Sequence, residues 1–226
     1  MKFAGLIKNS FVDYPNEIAA VAFTLGCNFN CWYCHNKQLI QMNNKEIELI
    51  DEKEVLDFLE SRKGFLDGVV ISGGEPTLHK DLKQFILKVK NLGFKVKLDT
   101  NGTNPKLLKE LIDEKLINFV AMDIKQSLSK YKNLVGDNCS VENIQKSINI
   151  ILNSDIDYEF RTTFSPDISV DDIVEIAKMI KGARVYAIQK YNPPKEKIIK
   201  IPHSTEDFKI AQEKANNYVK TFLRSI

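Results

Sequence analysis

Short apolar runs alternate along the chain with longer segments in which apolar residues recur every three or four positions. The runs are rich in β-branched and small residues and stop at glycine or polar residues, which is typical of buried strands. The longer segments have the spacing of amphipathic helices. The predicted strands are Ile18–Leu25, Gly68–Ile71, Phe94–Leu98, Ile117–Ala121, Tyr158–Thr162 and Val185–Ile188. The predicted helices cover residues 51–63, 79–91, 104–114, 140–152, 169–181 and 204–219.

Helix-start signals support these boundaries. Asp51 with Glu54 three positions later has the pattern of a capping box, and Asn104 precedes a proline at the first helical position. Ser140, Ser169 and Ser204 stand where a serine side chain can cap a helix.

Six strands, each followed by a helix, predict an α/β fold with a parallel sheet. We expect a partial (β/α)6 TIM-like barrel, formed by residues 18–190 of a single domain that spans residues 1–226. Residues 1–17 are predicted to be a short extended lead-in with a turn at Pro15-Asn16, and residues 191–226 a loop and a C-terminal helix. Barrels of this kind carry their chemistry at the carboxyl ends of the strands.

The first predicted strand ends in a cysteine-rich loop. Cys27, Cys31 and Cys34 have the spacing C-x3-C-x2-C, and His35 follows directly. Three close thiols can hold three irons of a [4Fe–4S] cluster and leave the fourth iron open to a ligand. A closed Cys3His zinc site is the alternative. The spacing favours the cluster, because zinc patterns usually consist of separated cysteine pairs.

The second strand leads into Gly73-Gly74-Glu75-Pro76. A glycine pair allows a ligand to approach the main chain closely, and Glu75 can accept a hydrogen bond from an ammonium group. An ordinary glycine turn is the alternative for this segment.

Charged residues end the next three strands. Asp99 precedes Thr100-Asn101-Gly102, where a capping turn is the simpler interpretation. Asp123 and Lys125 share one face of the fourth strand, and an ion pair aimed into a barrel is costly unless ligands or function compensate it. Arg161 lies on the fifth strand with Thr163 on the same face. Arginine suits a planar carboxylate, so an amino-acid-like ligand fits this mouth.

Composition adds few constraints. The 226 residues are 43% hydrophobic and 27% charged with a net charge of +2, which does not suggest a nucleic-acid or membrane-surface partner. No apolar run is long enough to span a bilayer and no signal-peptide pattern precedes the first strand, so we expect a cytoplasmic protein. Cys139 is interpreted as a small buried or loop thiol, and the lysine-rich residues 190–203 as a solvated loop.

These motifs together resemble the radical S-adenosylmethionine superfamily. Its hallmark, C-x3-C-x-aromatic-C, is matched by Cys27, Cys31, Tyr33 and Cys34, and residues 73–76 are similar to the motif that holds the amino group of the cofactor. The resemblance covers residues 18–190 and implies the same partial barrel.

Within this superfamily, the segments 26–36, 98–102, 122–126 and 133–136 are similar to glycyl-radical activating enzymes. Residues 10–15 most resemble the activating proteins of anaerobic ribonucleoside-triphosphate reductase. The chain departs from that pattern at Asn16, where glycine is common, and at residues 189–192, where some activases carry a cofactor-binding histidine.

The resemblance implies a mechanism and its cofactors. Cys27, Cys31 and Cys34 would bind a [4Fe–4S] cluster, and its open iron would chelate S-adenosylmethionine. Reductive cleavage of that cofactor would yield a 5′-deoxyadenosyl radical that takes hydrogen from a glycine of the partner. The implied partners are a glycyl-radical enzyme, with anaerobic ribonucleotide reductase as first candidate, and a flavodoxin or ferredoxin as electron donor. Oxygen sensitivity is implied as well.

The resemblance also assigns contacts at individual positions. Tyr33 and His35 would lie on the adenine side, Lys125 and Arg161 would meet the carboxylate, and Asp13 would touch the incoming glycyl loop. Asp99, Thr100 and Asp123 would hold the ribose, the cofactor or a monovalent cation. The complete set of implied cofactor contacts is Tyr33, His35, Gly73, Gly74, Glu75, Asp99, Thr100, Asp123, Lys125, Arg161 and Thr163. The alternatives are a radical enzyme for a small purine-like substrate and a zinc-stabilised module without catalytic activity.

The first prediction separates the cluster from zinc. Protein purified without oxygen should be brown, with iron and sulfide bound, because three thiolates of this spacing favour a cluster. The measurement is the visible absorption spectrum with metal analysis. A colourless protein that holds one zinc ion would contradict the prediction.

Overall fold

The computed structural model of the chain describes residues 1–42, 44–135, 140–193 and 203–224. The strands in this part are β1 Lys2–Ser10, β2 Ala19–Thr24, β3 Ile50–Asp51, β4 Gly68–Gly73, β5 Lys95–Thr100, β6 Phe119–Asp123, β7 Asp157–Phe164, β8 Tyr186–Lys190 and β9 Thr221–Arg224. The α-helices are α1 Glu52–Ser61, α2 Leu82–Asn91, α3 Pro105–Asp113, α4 Tyr131–Val135, α5 Val141–Leu152, α6 Val170–Met179 and α7 Thr205–Ala215.

The described strands form one sheet in the order β3-β1-β2-β4-β5-β6-β7-β8-β9. All neighbours from β2 to β9 are parallel, whereas β1 is antiparallel to both β2 and β3. This arrangement confirms the predicted α/β fold with a parallel sheet. The carboxyl ends of β2 and β4 to β8 therefore meet at one end of the barrel.

The sheet has more strands than the six that the sequence predicts. The extended lead-in forms β1, which pairs along β2 with register shifts on both sides of its central residues. Those irregularities interrupt the alternation of apolar and polar residues by which a strand is recognised. The last helix ends at Ala215 and does not continue to Val219, and the four residues of β9 follow it.

Most of the predicted helix caps are present. The side chain of Asn104 accepts a hydrogen bond from the Leu107 amide at 3.2 Å, and Ser140 caps α5. Ser169 and Ser204 form complete capping boxes. The cap predicted at Asp51 is wrong, because its side chain makes no capping hydrogen bond and instead lies 3.5 Å from the ammonium of Lys2.

A small apolar cluster lies inside the barrel near the amino ends of its strands. Tyr14, Ala19, Val21 and Val70 form a small buried cluster, against which Phe23 and Phe119 pack. The larger core lies between the sheet and the helices. Tyr14 comes from the turn after β1, where its carbonyl accepts a hydrogen bond from the Glu17 amide at 3.2 Å. In the described part of the chain, no helix has the length and apolarity needed to cross a membrane.

The second prediction concerns the core between helix and sheet. Ile148 of α5 is fully buried, so Ile148→Ala should lower the free energy of unfolding by about 2–5 kcal/mol through lost burial and a cavity. Ile210 of α7 is 37% exposed, so Ile210→Ala should change it by less than about 1 kcal/mol. Urea unfolding measures both, and equal effects would contradict the assignment of the α5 face.

Candidate functional site

A cavity of about 410 Å³ lies at the carboxyl ends of the parallel strands. Every site residue that the sequence predicts lines it. These residues are Asp13, Cys27, Cys31, Tyr33, Cys34, His35, Gly73, Gly74, Glu75, Asp99, Thr100, Asp123, Lys125, Arg161 and Thr163. The fold thus brings residues from six different segments to one place.

The cysteine loop is closed by its own backbone. Gly26, with a φ of 93°, ends the extended segment, and its amide donates to the carbonyl of Leu39 at 2.6 Å. The amide of Cys27 donates to Ile40 at 3.0 Å. The sulfur of Cys27 then accepts a hydrogen bond from the Phe29 amide at 3.4 Å. The thiols are consequently presented on a tight loop and not on a mobile arm.

Burial raises the pKa of Cys27 to about 11 and also raises the pKa of Cys31. The positive charge of Lys125 partly offsets this effect of burial on the pKa of both thiols. In the described residues, no three His, Cys, Asp or Glu side chains are grouped so that they could hold one metal ion. The thiolates of an iron–sulfur cluster bind different irons and need no such grouping.

The glycine pair is required by the approach of the chain to itself. A Cβ on Gly74 would lie 2.0 Å from the carbonyl oxygen of Gly26, and one on Gly73 would lie 2.4 Å from the amide nitrogen of Thr24. The amide of Glu75 donates to that same Gly26 carbonyl at 2.7 Å. The segment after β4 therefore supports the base of the cysteine loop, a role that neither of the two interpretations from the sequence included.

Glu75 is a buried junction between two loops. Its Oε1 accepts hydrogen bonds from the hydroxyls of Thr77 at 2.5 Å and Thr100 at 2.7 Å, and its Oε2 from the Asn101 amide at 2.6 Å. Burial raises the pKa of this carboxyl, while the donors act in the opposite direction. Among the described residues, only the Asn101 amide donates a hydrogen bond to Oε2. This oxygen can therefore accept a further hydrogen bond from the ammonium group of a ligand.

A network of ion pairs lines the cavity and continues from it towards the amino ends of the strands. Arg161 lies at its centre, with its Nε 2.8 Å from Asp123 and its guanidinium 3.3 Å from Asp99. In the described chain the linked side chains are Lys97, Asp99, Asp123, Lys125, Glu159, Arg161 and Arg224. Removing one partner from such a buried pair is strongly destabilising, because the other charge is left uncompensated.

Asp99 and Asp123 stay ionised within this network. Burial by itself would raise the pKa of Asp123, but the charges of Arg161 and Lys125 outweigh it and hold that pKa well below the usual range. Burial opposes ionisation of Asp99 as well, and Arg161 and Lys97 lower its pKa. The ammonium of Lys125 lies 2.9 Å from Asp123, so it remains charged at the rim.

Two supports of the site were missed by sequence analysis. The hydroxyl of Tyr131, on the short helix α4, accepts a hydrogen bond from the Lys125 amide at 3.1 Å. Its ring lies edge-on to Phe29 of the cysteine loop, with centroids 6.2 Å apart. His79 Nε2 lies 2.8 Å from the Leu25 carbonyl, just before the loop. Apolar periodicity gives no signal by which such contacts could be found.

The remaining predicted residues take different positions around the cavity. Tyr33 is buried, and its hydroxyl lies beside Cys31. Burial is the main cause that raises the pKa of this hydroxyl, and the nearby thiols raise it further. His35 is exposed at the rim. Asp13 is also exposed, and the hydroxyl of Ser10 donates to its carboxylate at 2.6 Å.

Other lining residues were not predicted as contacts, among them Asn101 and Gln189. Gln189 stands in the segment where some activases carry a histidine. Cys139 and most of the lysine-rich loop lie outside the described residues.

Comparisons with known proteins agree with these motifs. Residues 21–180 match the radical SAM superfamily. A protein of Methanocaldococcus jannaschii, provisionally named as a glycyl-radical enzyme activating enzyme, is 39% identical over 96% of this chain and 94% of its own length. A second protein of that organism with the same provisional name is 29% identical over 88% of this chain and 80% of its own length.

Among solved structures, SuiB of Streptococcus suis bound to S-adenosylmethionine has a similar fold. The TM-score between the two is 0.70 and the sequence identity is 16%. The match covers 89% of this chain and 49% of SuiB, so the chain spans about half the length of that protein.

The third prediction tests the close approach at Gly74. Gly74→Ala should reduce both thermal stability and the iron bound on reconstitution, because the new Cβ meets backbone and overpacking costs about 1–3 kcal/mol. Gly5→Ala is the matched control, since a Cβ there would lie 3.8 Å from Phe23 and the backbone is not in the left-handed region. Equal iron content in the two variants would contradict the role given to Gly74.

Proposed function

We propose that this chain, which belongs to the radical SAM superfamily, activates a glycyl-radical enzyme. Membership of the superfamily implies a [4Fe–4S] cluster and S-adenosylmethionine as cofactors. Three thiols and the cationic side chains of Lys125 and Arg161 line one cavity, which also reaches the exposed carboxylate of Asp13. This arrangement is the observation that carries the proposal. The provisional name of the 39%-identical relative supports the same class of activity.

The residues present fit this pair of cofactors. Cys27, Cys31 and Cys34 would hold the cluster by three irons, which leaves one iron for a ligand. When bound, the cluster and S-adenosylmethionine supply one-electron reductive chemistry that starts hydrogen abstraction. The chain itself supplies placement, charge and exclusion of water from the lumen.

Lys125 and Arg161 are the groups that would receive the carboxylate of the cofactor. Arg161 is held from behind by Asp99 and Asp123, so its orientation is determined before a ligand arrives. Such preorganisation lowers the entropic cost of binding. Glu75 would accept the ammonium through Oε2, and the buried Tyr33 with the exposed His35 would border the adenine.

The proposed cation site has less support. Asp99 is paired with Lys97 and Arg161, and Asp123 with Arg161 and Lys125. A monovalent cation between these carboxylates would compete with side chains that already neutralise them. We therefore assign Asp99 and Asp123 chiefly to positioning Arg161 and Lys125, and Thr100 to holding Glu75.

A peptide substrate fits the open side of the cavity. Asp13 lines the cavity and is exposed, so the lumen reaches the surface at the turn after β1. An extended glycine-containing segment can enter there and donate a backbone N–H to the Asp13 carboxylate. Anaerobic ribonucleotide reductase is the first partner to test, with reduced flavodoxin or ferredoxin as the electron source.

The fourth prediction tests the activity directly. Reconstituted protein, incubated with reductant, S-adenosylmethionine and a candidate glycyl-radical enzyme, should produce a glycyl radical signal in electron paramagnetic resonance. Asp13→Asn should lower the rate of radical formation roughly tenfold, as expected for one lost charge-assisted hydrogen bond, without changing cofactor binding.

Asp51→Asn is the matched control, because Asp51 is an exposed aspartate on β3 away from the cavity. Its rate should equal that of the unmodified protein. Cofactor cleavage without a glycyl radical in any candidate partner would contradict the activase proposal and leave the superfamily assignment intact.

A further inference from the structure

The last strand of the sheet directs a partly exposed charged side chain, 38% accessible to solvent, onto a buried carboxylate of the barrel. We propose that Arg224, on β9, is a positioning residue that keeps the charge of Arg161 available to a ligand carboxylate at the cavity. It acts through Glu159 and does not line the cavity itself. The inference rests on the proposed function, because it assumes that Arg161 receives the carboxylate of S-adenosylmethionine.

Glu159 connects the two arginines. It is 3% exposed, and Arg224 binds both of its oxygens, with Nη1 to Oε1 at 2.9 Å and Nη2 to Oε2 at 2.5 Å. The guanidinium of Arg161 lies 4.0 Å from the same carboxylate, at the limit of an ion pair. The bidentate pair with Arg224 therefore neutralises Glu159, which interacts only weakly with Arg161.

The strand register explains how this contact forms. Glu159 and Arg161 are two residues apart on β7, so both side chains point into the barrel. Arg224 is paired with Gln189 of β8, which in turn is paired with Thr163 of β7. This register places Arg224 on the same inward face as Glu159 and Arg161. Arg224 and Glu159 line a surface pocket with Tyr14 and Lys95, near the amino ends of the strands.

The charges of the network explain why this contact affects ligand binding. The cations are Lys97, Lys125, Arg161 and Arg224, and the carboxylates are Asp99, Asp123 and Glu159. The linked side chains thus carry one positive charge more than they carry negative charges, which matches a ligand with one carboxylate. Without Arg224 the surplus is lost and the buried Glu159 has Arg161 as its nearest described cation.

A purely structural role makes a different prediction. If Arg224 only attaches β9 to the sheet, then removing Glu159 as well cannot restore what the loss of Arg224 has damaged. If Arg224 acts by neutralising Glu159, then replacing the Glu159 carboxylate by an amide removes the negative charge that would otherwise attract Arg161 away from the ligand. A double-mutant cycle separates the two explanations.

The fifth prediction uses calorimetric binding of S-adenosylmethionine to anaerobically reconstituted protein. Arg224→Gln should weaken binding roughly tenfold, because Arg161 then compensates Glu159 instead of the ligand. Arg224→Gln combined with Glu159→Gln should bind within about threefold of the unmodified protein. Glu159→Gln alone should bind at least as tightly as the unmodified protein, since it adds to the positive surplus.

Two controls accompany these variants. Arg184→Gln removes the same charge from an exposed ion pair with Asp157 at 3.4 Å, and it should leave binding unchanged. Decarboxylated S-adenosylmethionine lacks the group that Arg161 would receive, so Arg224→Gln should change its affinity by less than about twofold. Thermal unfolding and iron content of each variant show whether its fold and cluster are retained.

The outcomes distinguish this inference from the proposed function. Unchanged S-adenosylmethionine binding in Arg224→Gln, or a double variant as weak as the single one, would overturn the role of Arg224 alone. If the unmodified protein binds the decarboxylated cofactor as tightly as S-adenosylmethionine, the carboxylate site itself is wrong, and the inference falls with it.

Discussion

The mutual compensation of buried charges in the barrel lumen is the constraint on which the site depends. Arg161 is oriented by Asp99 and Asp123, and each of these carboxylates is held ionised by cations around it. Loss of either carboxylate would leave the charge of the buried Arg161 less well compensated. The members come from β5, β6, β7 and β9 and from Lys125 just after β6, so the network requires the sheet to curve until the inner faces of these strands approach one another.

The cysteine loop is held by a second and different kind of contact. Backbone approaches backbone where Gly74 meets Gly26, and the buried carboxylate of Glu75 joins the loops after β4 and β5. These contacts require residues without a Cβ and a buried carboxylate that accepts hydrogen bonds from both loops, and they leave little freedom for the cysteine loop. A cluster held on such a loop would keep a constant position relative to Arg161 and Lys125.

This division of the lumen suits the proposed chemistry. The amino ends of the strands hold an apolar cluster around Tyr14 together with the Glu159–Arg224 pair, whereas the carboxyl ends combine thiols and cations. A reactive species formed in such a lumen is protected from solvent on most sides. The turn after β1 contributes Tyr14 to the apolar cluster, and its exposed Asp13 lines the cavity.

The sequence alone was sufficient for the alternation of strands and helices, for the caps at Asn104 and Ser140, and for the motifs at the strand ends. These features follow from signals between near neighbours in the chain, such as apolar periodicity and cysteine spacing, whereas individual cofactor contacts such as Tyr33 and His35 came from the resemblance to a family. Only the tertiary structure decided that the lead-in is a strand of the sheet, that Arg224 of β9 pairs with the buried Glu159, and that Glu75 joins two loops. Each of these depends on groups that are distant in sequence and meet only when the sheet closes, and no local pattern encodes which distant partner a short strand or a buried carboxylate will find.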